Sequence, residues 1–217
     1  MKKWHEEKIL LGIVIMLCFA FLLGCNNRIK MENGMQNAEQ RDYATVLLVT
    51  LSGAGKDYSF SLGIAEEKKV GEKSQTEKIV TLSANNFEEL ARNYASVKGK
   101  TLSLVHLKAI ILVRDEDTVM ESLWDILTQI DDTEEISKTC PVLQLKDRDE
   151  FLKYVENAAE PVGSYLEALI KINEGQGKSI PQVKEYLQAF REGEGLQLYF
   201  LEKAEDDWII KCRDKLK

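Results

Sequence analysis

The sequence predicts an α+β fold in a single domain, in which a mixed β-sheet begins with an N-terminal β-hairpin and is packed by several helices. Two observations predict this class. Segments rich in β-branched and aromatic residues come first, and segments with apolar residues spaced three and four positions apart follow, alternating at first with further short strands. The sequence shows no internal repeat.

The hairpin is predicted at residues 43–51 and 58–65, because the sequence SGAGKD between them supplies glycines for a chain reversal. After a charged segment, residues 78–83 form a third short strand. The pattern then becomes helical, with Asn85 as the expected N-cap and Glu88 three residues later. The apolar face of this helix consists of Phe87, Leu90, Ala91 and Tyr94.

Strands and helices alternate in the middle of the chain. The second half of the apolar run at residues 102–113 is predicted to be a buried strand, and residues 117–130 form a helix. The apolar stripe of that helix is Val119, Leu123, Ile126, Leu127 and Ile130. Residues 140–145 are a further strand. Asp147 with Glu150 is a capping pattern, and we expect Pro161 and Gly163 to end the helix that it starts.

The last part of the chain contains two helices and two strands. The first helix has the apolar residues Tyr165, Leu166, Leu169 and Ile170. We expect Ser179 with Gln182 to cap the second, Pro181 to lie in its first turn, and Gly193 with Gly195 to end it. Its apolar face is Val183, Leu187 and Phe190. Residues 196–201 and 207–212 are predicted strands.

The N-terminal segment has the features of an export signal. Lys2, Lys3 and Lys8 precede a sixteen-residue apolar run, residues 9–24, which is short for a membrane-spanning helix of about 20 residues. Leu22-Leu23-Gly24-Cys25 then resembles a bacterial lipobox, in which the cysteine thiol takes a diacylglycerol and becomes the new N-terminus. The alternatives are an ordinary secretion signal and an uncleaved N-terminal anchor.

These features predict three parts of the chain. Residues 1–24 are a lipoprotein signal peptide, residues 25–41 are a flexible polar tether, and residues 42–217 are the single folded domain. Membrane lipid attached through Cys25 is the expected anchor, because two acyl chains give stable residence on a bilayer. The expected location is the extracytoplasmic face of the cell membrane.

The charge of the chain excludes some partners. It carries 29 Lys and Arg against 36 Asp and Glu, and removal of the signal takes away three Lys and two Glu, which leaves 26 against 34. Such an acidic chain is not expected to bind nucleic acid or to adhere to anionic lipid by charge alone. Of the remaining thiols, Cys140 and Cys212 are too few for a disulfide scaffold, and the sequence leaves open whether they pair.

No motif predicts a catalytic, cofactor or metal site. Gly177-Lys178-Ser179 lacks the upstream glycine of a phosphate loop because Ile172 stands there, and the loop at residues 53–56 lacks the final Ser or Thr. His106, the one histidine after the signal, is expected at the start of a strand, with its ring hydrogen-bonded to backbone. A nucleophilic pair of His106 with Cys140 or Cys212 remains an alternative.

Carboxylates are numerous, so a hydrolase with two catalytic carboxylates is also an alternative. The clusters are Asp131, Asp132, Glu134 and Glu135, and Glu205 to Asp207. We interpret both as solvated helix ends or turns.

The order of segments resembles the N-terminal part of the Ger(x)C lipoproteins, the C subunits of bacterial spore germinant receptors. The resemblance extends from about residue 22 to residue 201. It is most specific in the helix that starts at Phe87 and in His106-Leu107-Lys108, which leads directly into AIILV. The family usually has a tryptophan and an acidic residue soon after the lipidated cysteine, where this chain has Asn26 and Asn27. It also has a large C-terminal region, which we expect to be absent here.

The resemblance implies a function. A member of this family is a non-catalytic lipoprotein on the outer face of the spore's inner membrane, beside membrane-embedded receptor subunits, and it is needed for nutrient-triggered germination. We therefore expect a membrane-anchored partner of such subunits, with no enzymatic activity and no cofactor. The alternatives are a cell-envelope carboxylate-dependent hydrolase and a lipoprotein with an unrelated binding role.

Overall fold

The computed structural model describes residues 41–51, 58–65, 77–114, 120–158, 160–205 and 207–216. All of them except Arg41 belong to one compact unit, Asp42–Lys217. Cys25 and the predicted signal lie outside the described residues.

The described residues form eight strands and five helices. The strands are β1 (Arg41–Leu51), β2 (Tyr58–Ala65), β3 (Glu77–Ala84), β4 (Thr101–Ser103), β5 (Ala109–Val113), β6 (Val142–Leu145), β7 (Leu196–Ala204) and β8 (Asp207–Leu216). The helices are α1 (Phe87–Lys98), α2 (Met120–Asp132), α3 (Arg148–Asn157), α4 (Val162–Gly175) and α5 (Val183–Glu192).

All the strands belong to one mixed sheet, in the order β3-β2-β1-β5-β6-β7-β8, with β4 paired to β1. The four central strands β1, β5, β6 and β7 are parallel to one another, whereas β2 and β3 at one edge and β8 at the other are antiparallel to their neighbours. The predicted α+β fold, with a mixed sheet and an N-terminal hairpin, is confirmed.

Helices cover both faces of the sheet. Because side chains alternate along a strand, Leu47 and Val49 of β1 lie in one apolar cluster, while Val46 and Leu48 lie in the other. Helices α1, α2 and α5 supply the first cluster, and α3 and α4 supply the second. Strand β5 is buried on both faces, which explains its uninterrupted apolar sequence AIILV.

Helix α3 connects the two antiparallel edges of the sheet. The Arg148 guanidinium donates hydrogen bonds to Ser61 Oγ of β2 at 3.1 Å and to Thr81 Oγ1 of β3 at 3.3 Å. One turn later, the ring of Phe151 packs edge-on against Trp208 of β8, with 5.1 Å between the ring centroids. Helix α3 therefore holds together strands that are far apart in the strand order.

The predicted N-cap of α3 is correct, whereas the predicted N-cap of α1 is displaced by one residue. Asp147 is the N-cap of α3, and its carboxylate accepts a hydrogen bond from Glu150 N at 2.9 Å, as predicted. The cap of α1 is Asn86 instead of Asn85, and its side chain accepts from Glu89 N at 2.8 Å. Two adjacent asparagines made the sequence pattern ambiguous by one residue.

Helix α5 begins later than predicted. Its N-cap is Gln182, whose backbone N–H donates to the Glu185 carboxylate at 2.7 Å, so the predicted cap at Ser179 is wrong. Pro181 lies before the helix because its carbonyl accepts a hydrogen bond from Val142 N at 2.8 Å, which keeps this segment beside β6. The helix ends at Gly193 as predicted, in the left-handed conformation at φ 65° that glycine adopts without strain.

Gly163 was predicted to end a helix, but it lies in the first turn of α4. A Cβ atom on it would lie 2.6 Å from Thr45 Oγ1 of β1. Its backbone N–H donates to the Glu77 carboxylate of β3 at 3.2 Å, which places an anion at the N-terminus of the helix. This glycine therefore allows α4 to approach the sheet closely. Helix α3 ends at Asn157, before Pro161, so the predicted break is present, but Gly163 lies inside the next helix instead of in the break.

Candidate functional site

The start of β1, the last turn of α1 and the turn before β5 meet at one end of the domain. Tyr43, Val97, Lys98, Val105 and His106 are exposed there, and we call this group the Tyr43 surface. The ring of His106 packs against the ring of Tyr43, with 4.9 Å between their centroids. Val97 and Lys98 lie in the last turn of α1, after Tyr94, whose phenol contacts Asp42 beside Tyr43.

The apolar character of this end is unusual within the described residues. Their exposed large hydrophobic side chains are Tyr43 at 40%, Val97 at 64%, Val105 at 50% and Ile172 at 58%. Three of these four belong to the Tyr43 surface, and Ile172 lies on α4. Scattered exposed apolar residues are common, but a group of them at one end of a domain points to an interaction.

Hydrogen bonds fix the position of β1 at this surface. Asp42 accepts from the Tyr94 phenol of α1 at 2.7 Å and from the Lys100 ammonium at 2.7 Å. Burial, followed by the hydrogen bond to Asp42, raises the pKa of Tyr94 above its usual value. The phenol therefore remains a hydrogen-bond donor at neutral pH.

The turn before β5 is fixed as well. The Glu135 carboxylate accepts hydrogen bonds from Leu104 N at 2.7 Å and from Ser103 Oγ at 3.2 Å. On the other side of the turn, Lys108 N donates to the Thr45 carbonyl at 2.7 Å, and the Lys108 ammonium pairs with Glu167 at 3.2 Å. The exposed residues between these contacts, Val105 and His106, are therefore held in place.

His106 lies in the turn that leads into β5, at the predicted position. Its described ring contact is with Tyr43. The expected hydrogen bond from its ring to backbone is not among the contacts of the described residues. Sequence reasoning did not identify Val97 or Val105 as exposed. The polar His106 inside an apolar run was a signal that the run contains a turn.

The two thiols of the domain are both free. Cys140 is buried and Cys212 is exposed. Burial raises the pKa of the Cys140 thiol to about 12, so it is protonated at neutral pH and is a poor nucleophile. Its sulfur lies 3.8 Å from the carbonyl oxygen of Leu107. This environment does not support the alternative of a His106–Cys140 nucleophilic pair.

The candidate carboxylates of the first cluster have structural contacts. Asp131 pairs with Arg191 at 3.1 Å and with Lys138 at 3.2 Å, and Glu135 holds the turn described above. Asp132 and Glu134 are exposed at and after the end of α2. This cluster is a helix end, as interpreted from the sequence.

In the second cluster, the Asp207 carboxylate accepts hydrogen bonds from the phenols of Tyr165 at 2.7 Å and Tyr154 at 2.9 Å. These bonds, that of Tyr165 first, together with one from Trp208 N, lower the pKa of Asp207. Glu205 is in the turn between β7 and β8, at φ 57°. Asp206 lies outside the described residues.

A cleft of about 940 Å³, lined mostly by residues with charged or polar side chains, lies beside α3. Its lining residues are Asp147, Asp149, Glu150, Lys153, Tyr154, Asn157, Ala158, Glu160 and Lys203. Asp147 caps α3, and Glu150 pairs with Lys203 at 2.8 Å. Two of its carboxylates therefore already have partners within the fold.

The other sequence candidates do not form a site. Gly177 is in the turn after α4, where Lys178 donates to the Asn173 side chain at 2.8 Å, and residues 53–56 lie outside the described residues. Within the described part of the chain, no three His, Cys, Asp or Glu side chains are arranged to hold a metal ion. In the same part, no helix combines the length and apolar character needed to cross a bilayer.

Comparison with known proteins identifies the family. The family model described as the spore germination protein N-terminal domain matches residues 34–199, roughly three quarters of the chain. No curated protein and no solved structure matches the chain. The matched range includes the Tyr43 surface, all five helices and strands β1 to β6. The chain therefore belongs to the family of the spore germination protein N-terminal domain, as its resemblance to the Ger(x)C lipoproteins indicated.

Proposed function

We propose that this protein is an extracytoplasmic lipoprotein, anchored through Cys25, that acts as a C-subunit-like partner of membrane-embedded germinant receptor subunits in spore germination. The observation that carries this proposal is the match of residues 34–199 to the spore germination family. Membership supports a germinant receptor C-subunit-like role. The proposed location is the outer face of the spore's inner membrane.

The anchor is proposed from the sequence. Leu22-Leu23-Gly24-Cys25 follows an apolar run of signal-peptide length, and the polar residues after Cys25 separate it from β1. Each buried CH₂ of an acyl chain contributes about 0.8 kcal/mol to membrane binding, so a diacyl group is sufficient for stable anchoring. The acidic chain would then remain at the membrane without help from its net charge.

The proposed mechanism is concentration by tethering. A domain confined to the bilayer surface meets an embedded partner at an effective concentration that reaches about millimolar for a short linker. A contact too weak to form between proteins free in solution then suffices for assembly. The Tyr43 surface has few exposed apolar residues. It therefore suits a weak contact aided by a tether better than a stable complex between proteins free in solution.

A non-catalytic role agrees with the contacts of the candidate residues. The Cys140 thiol is buried with a raised pKa, and Asp131, Glu135 and Asp207 accept hydrogen bonds or ion pairs from neighbouring groups of the fold. The family itself is a family of non-catalytic receptor subunits. No observation favours the hydrolase alternative over this role.

The experiment is co-purification from detergent extracts of spore membranes in the native host. The tagged wild-type chain should bring down membrane-embedded receptor subunits, and Cys25→Ala should be soluble and bring down none. Cys212→Ala is the matched control, because Cys212 is exposed and lies outside the proposed anchor. A wild-type chain that migrates alone, while Cys25→Ala is released from the membrane, would contradict the partner role and leave the anchor intact.

A further inference from the structure

We infer that the carboxyl ends of strands β5 and β6 form a binding site for a small molecule that carries a carboxylate group. Arg114 is the residue that pairs with this group, and Gln144 supplies a hydrogen bond to it. The inference goes beyond the proposed function, and it depends neither on the anchor at Cys25 nor on the role as a receptor partner.

Arg114 and Gln144 lie at the same end and on the same face of the sheet. In the parallel pairing of β5 with β6, Leu112 is opposite Gln144 and Val113 is opposite Leu145. The ladder continues one residue further, because Arg114 N donates to the Leu145 carbonyl at 3.0 Å. Since side chains alternate along a strand, Arg114 follows Leu112 on the face that helix α5 covers. In open sheets of parallel strands, ligands commonly bind outside the carboxyl ends of the strands.

Arg114 is a partly buried cation without a partner of opposite charge. Arg92, Arg191 and Arg213 each pair with a carboxylate. Among the described residues, no carboxylate pairs with Arg114, and its buried Nε has no hydrogen-bond acceptor. Burial lowers the pKa of Arg114. Taking a cation out of water without supplying an anion costs free energy, so this position favours an anionic ligand.

The Gln144 amide has an unpaired atom although the side chain is completely buried. Its Nε2 donates to the Tyr186 hydroxyl of α5 at 3.2 Å, and its Oε1 has no partner within the described residues. Burial raises the pKa of Tyr186 to about 12, so the phenol keeps its proton and can donate instead. Rotating the amide by half a turn then pairs Oε1 with the phenol and leaves Nε2 unpaired. In either orientation one buried polar atom requires a partner.

A carboxylate satisfies both groups. A guanidinium binds it through two parallel N–H···O bonds, and the rotated Gln144 amide donates a third bond from Nε2. A water molecule would supply a hydrogen bond to Gln144 but no charge to Arg114. A phosphate group carries a charge of about −1.5 to −2 at neutral pH, more than one cation balances. The site therefore fits a carboxylate better than it fits water or phosphate.

The test measures thermal unfolding of the full chain in detergent. The probes are sodium acetate and acetamide, a neutral molecule of nearly the same shape, and sodium chloride keeps the ionic strength equal. A probe at ten times its dissociation constant raises the melting temperature of a domain of this size by about 3–6 °C. We expect such a rise with acetate at up to about 0.2 M and none with acetamide. No rise with acetate, or the same rise with acetamide, would overturn the inference. A rise with phosphate and none with acetate would contradict the carboxylate as the ligand.

Variants assign the response to the site. Arg114→Gln should abolish the rise, and Arg114→Lys should keep only part of it, because an ammonium does not form the bidentate pair. Arg92→Gln is the matched control, since Arg92 is exposed and pairs with Glu88, and it should respond like wild type. In chloride alone, Arg114→Gln should melt at the wild-type temperature or above, because it removes a cation that the fold does not compensate. A lower melting temperature in chloride, with the response to acetate retained, would show that Arg114 supports the fold and does not bind the probe.

A second measurement uses the wild-type chain and therefore does not depend on the folding of a variant. In a heteronuclear NMR spectrum of the arginine Nε–H groups, one signal should move with acetate until it saturates, and none should move with acetamide. That signal should be absent from the spectrum of Arg114→Lys. A moving signal that persists in this variant belongs to another arginine, and the inference would then be wrong.

Discussion

The Tyr94 phenol of α1 donates a hydrogen bond of 2.7 Å to Asp42 Oδ2, next to the exposed ring of Tyr43. The two residues are 52 positions apart in the sequence. The bond joins the first helix to the start of the first strand, where the domain meets the segment that leads to Cys25. The geometry of the Tyr43 surface therefore depends on it.

Replacing Tyr94 with Phe should destabilise the domain by about 1–2 kcal/mol, because the Asp42 carboxylate loses a donor while the buried ring remains in place. Urea denaturation followed by circular dichroism measures the change. Tyr43→Phe is the control, because that ring is partly exposed and its hydroxyl makes no hydrogen bond within the described residues, and it should change stability by less than about 0.5 kcal/mol. Equal effects of the two substitutions would contradict the role of the Asp42 bond.

Stability should fall at alkaline pH. Tyr58, Tyr94 and Tyr165 donate to Asp125, Asp42 and Asp207, and burial, followed by these hydrogen bonds, raises the pKa of each phenol. Their contribution is complete below the unfolded tyrosine pKa of about 10 and is lost as pH rises from there towards the folded values.

The measurement for this pH dependence is the urea midpoint between pH 8 and pH 11. The midpoint should begin to decline at about pH 9, where the Cys140 thiol ionises in the unfolded chain but not in the folded one, and should fall more steeply above about pH 10 as the tyrosines contribute. The triple Tyr→Phe variant should begin at a lower midpoint and show a shallower decline. A decline of the same slope in the variant would show that other groups cause it.

Replacing Gly163 with Ala should destabilise the domain by about 1–3 kcal/mol, because the new Cβ would lie 2.6 Å from Thr45 Oγ1 and 2.7 Å from Thr45 Cβ. Gly175→Ala is a matched control in the same helix, with no atom within 4 Å of its new Cβ. It should be neutral or stabilising by up to about 1 kcal/mol. Thermal unfolding of the two variants gives the comparison. Similar melting temperatures would contradict the close contact between α4 and β1.

The thiols should differ in reactivity. In the native chain at pH 8, Cys212 should react with a disulfide reagent within minutes, whereas Cys140 should react only after denaturation, because burial raises its pKa to about 12. The absorbance released before and after adding guanidinium counts the two classes of thiol. Fast reaction of Cys140 in the folded chain would contradict its burial.

Local sequence patterns were sufficient for most elements. The β-branched and aromatic content of β1 and β2, the Asp147 cap of α3 and the Gly193 stop of α5 are all local features, and all were predicted. The wrong prediction that Gly163 ends a helix has a different cause. The reason for that glycine is Thr45, 118 positions earlier in the sequence, and no local pattern records that contact.

The candidate surface also depends on contacts between distant segments. Tyr43, Val97 and Val105 belong to three different elements, and the pairing of β1 with β4 and β5 brings those elements together. Their sequences predicted a strand, a helix and an apolar run, but no pattern indicated that their exposed residues lie at the same end. The family resemblance, by contrast, was visible in the order of segments and was confirmed by the match to residues 34–199.

The most direct test of the proposed function is the rate of nutrient-triggered germination of spores in the native host, measured as the loss of optical density after the germinant is added. Spores that carry Cys25→Ala should germinate as slowly as spores that lack the gene, and Cys212→Ala spores should germinate like wild type. Wild-type germination of spores that lack the gene, across the germinants to which the host responds, would contradict the account.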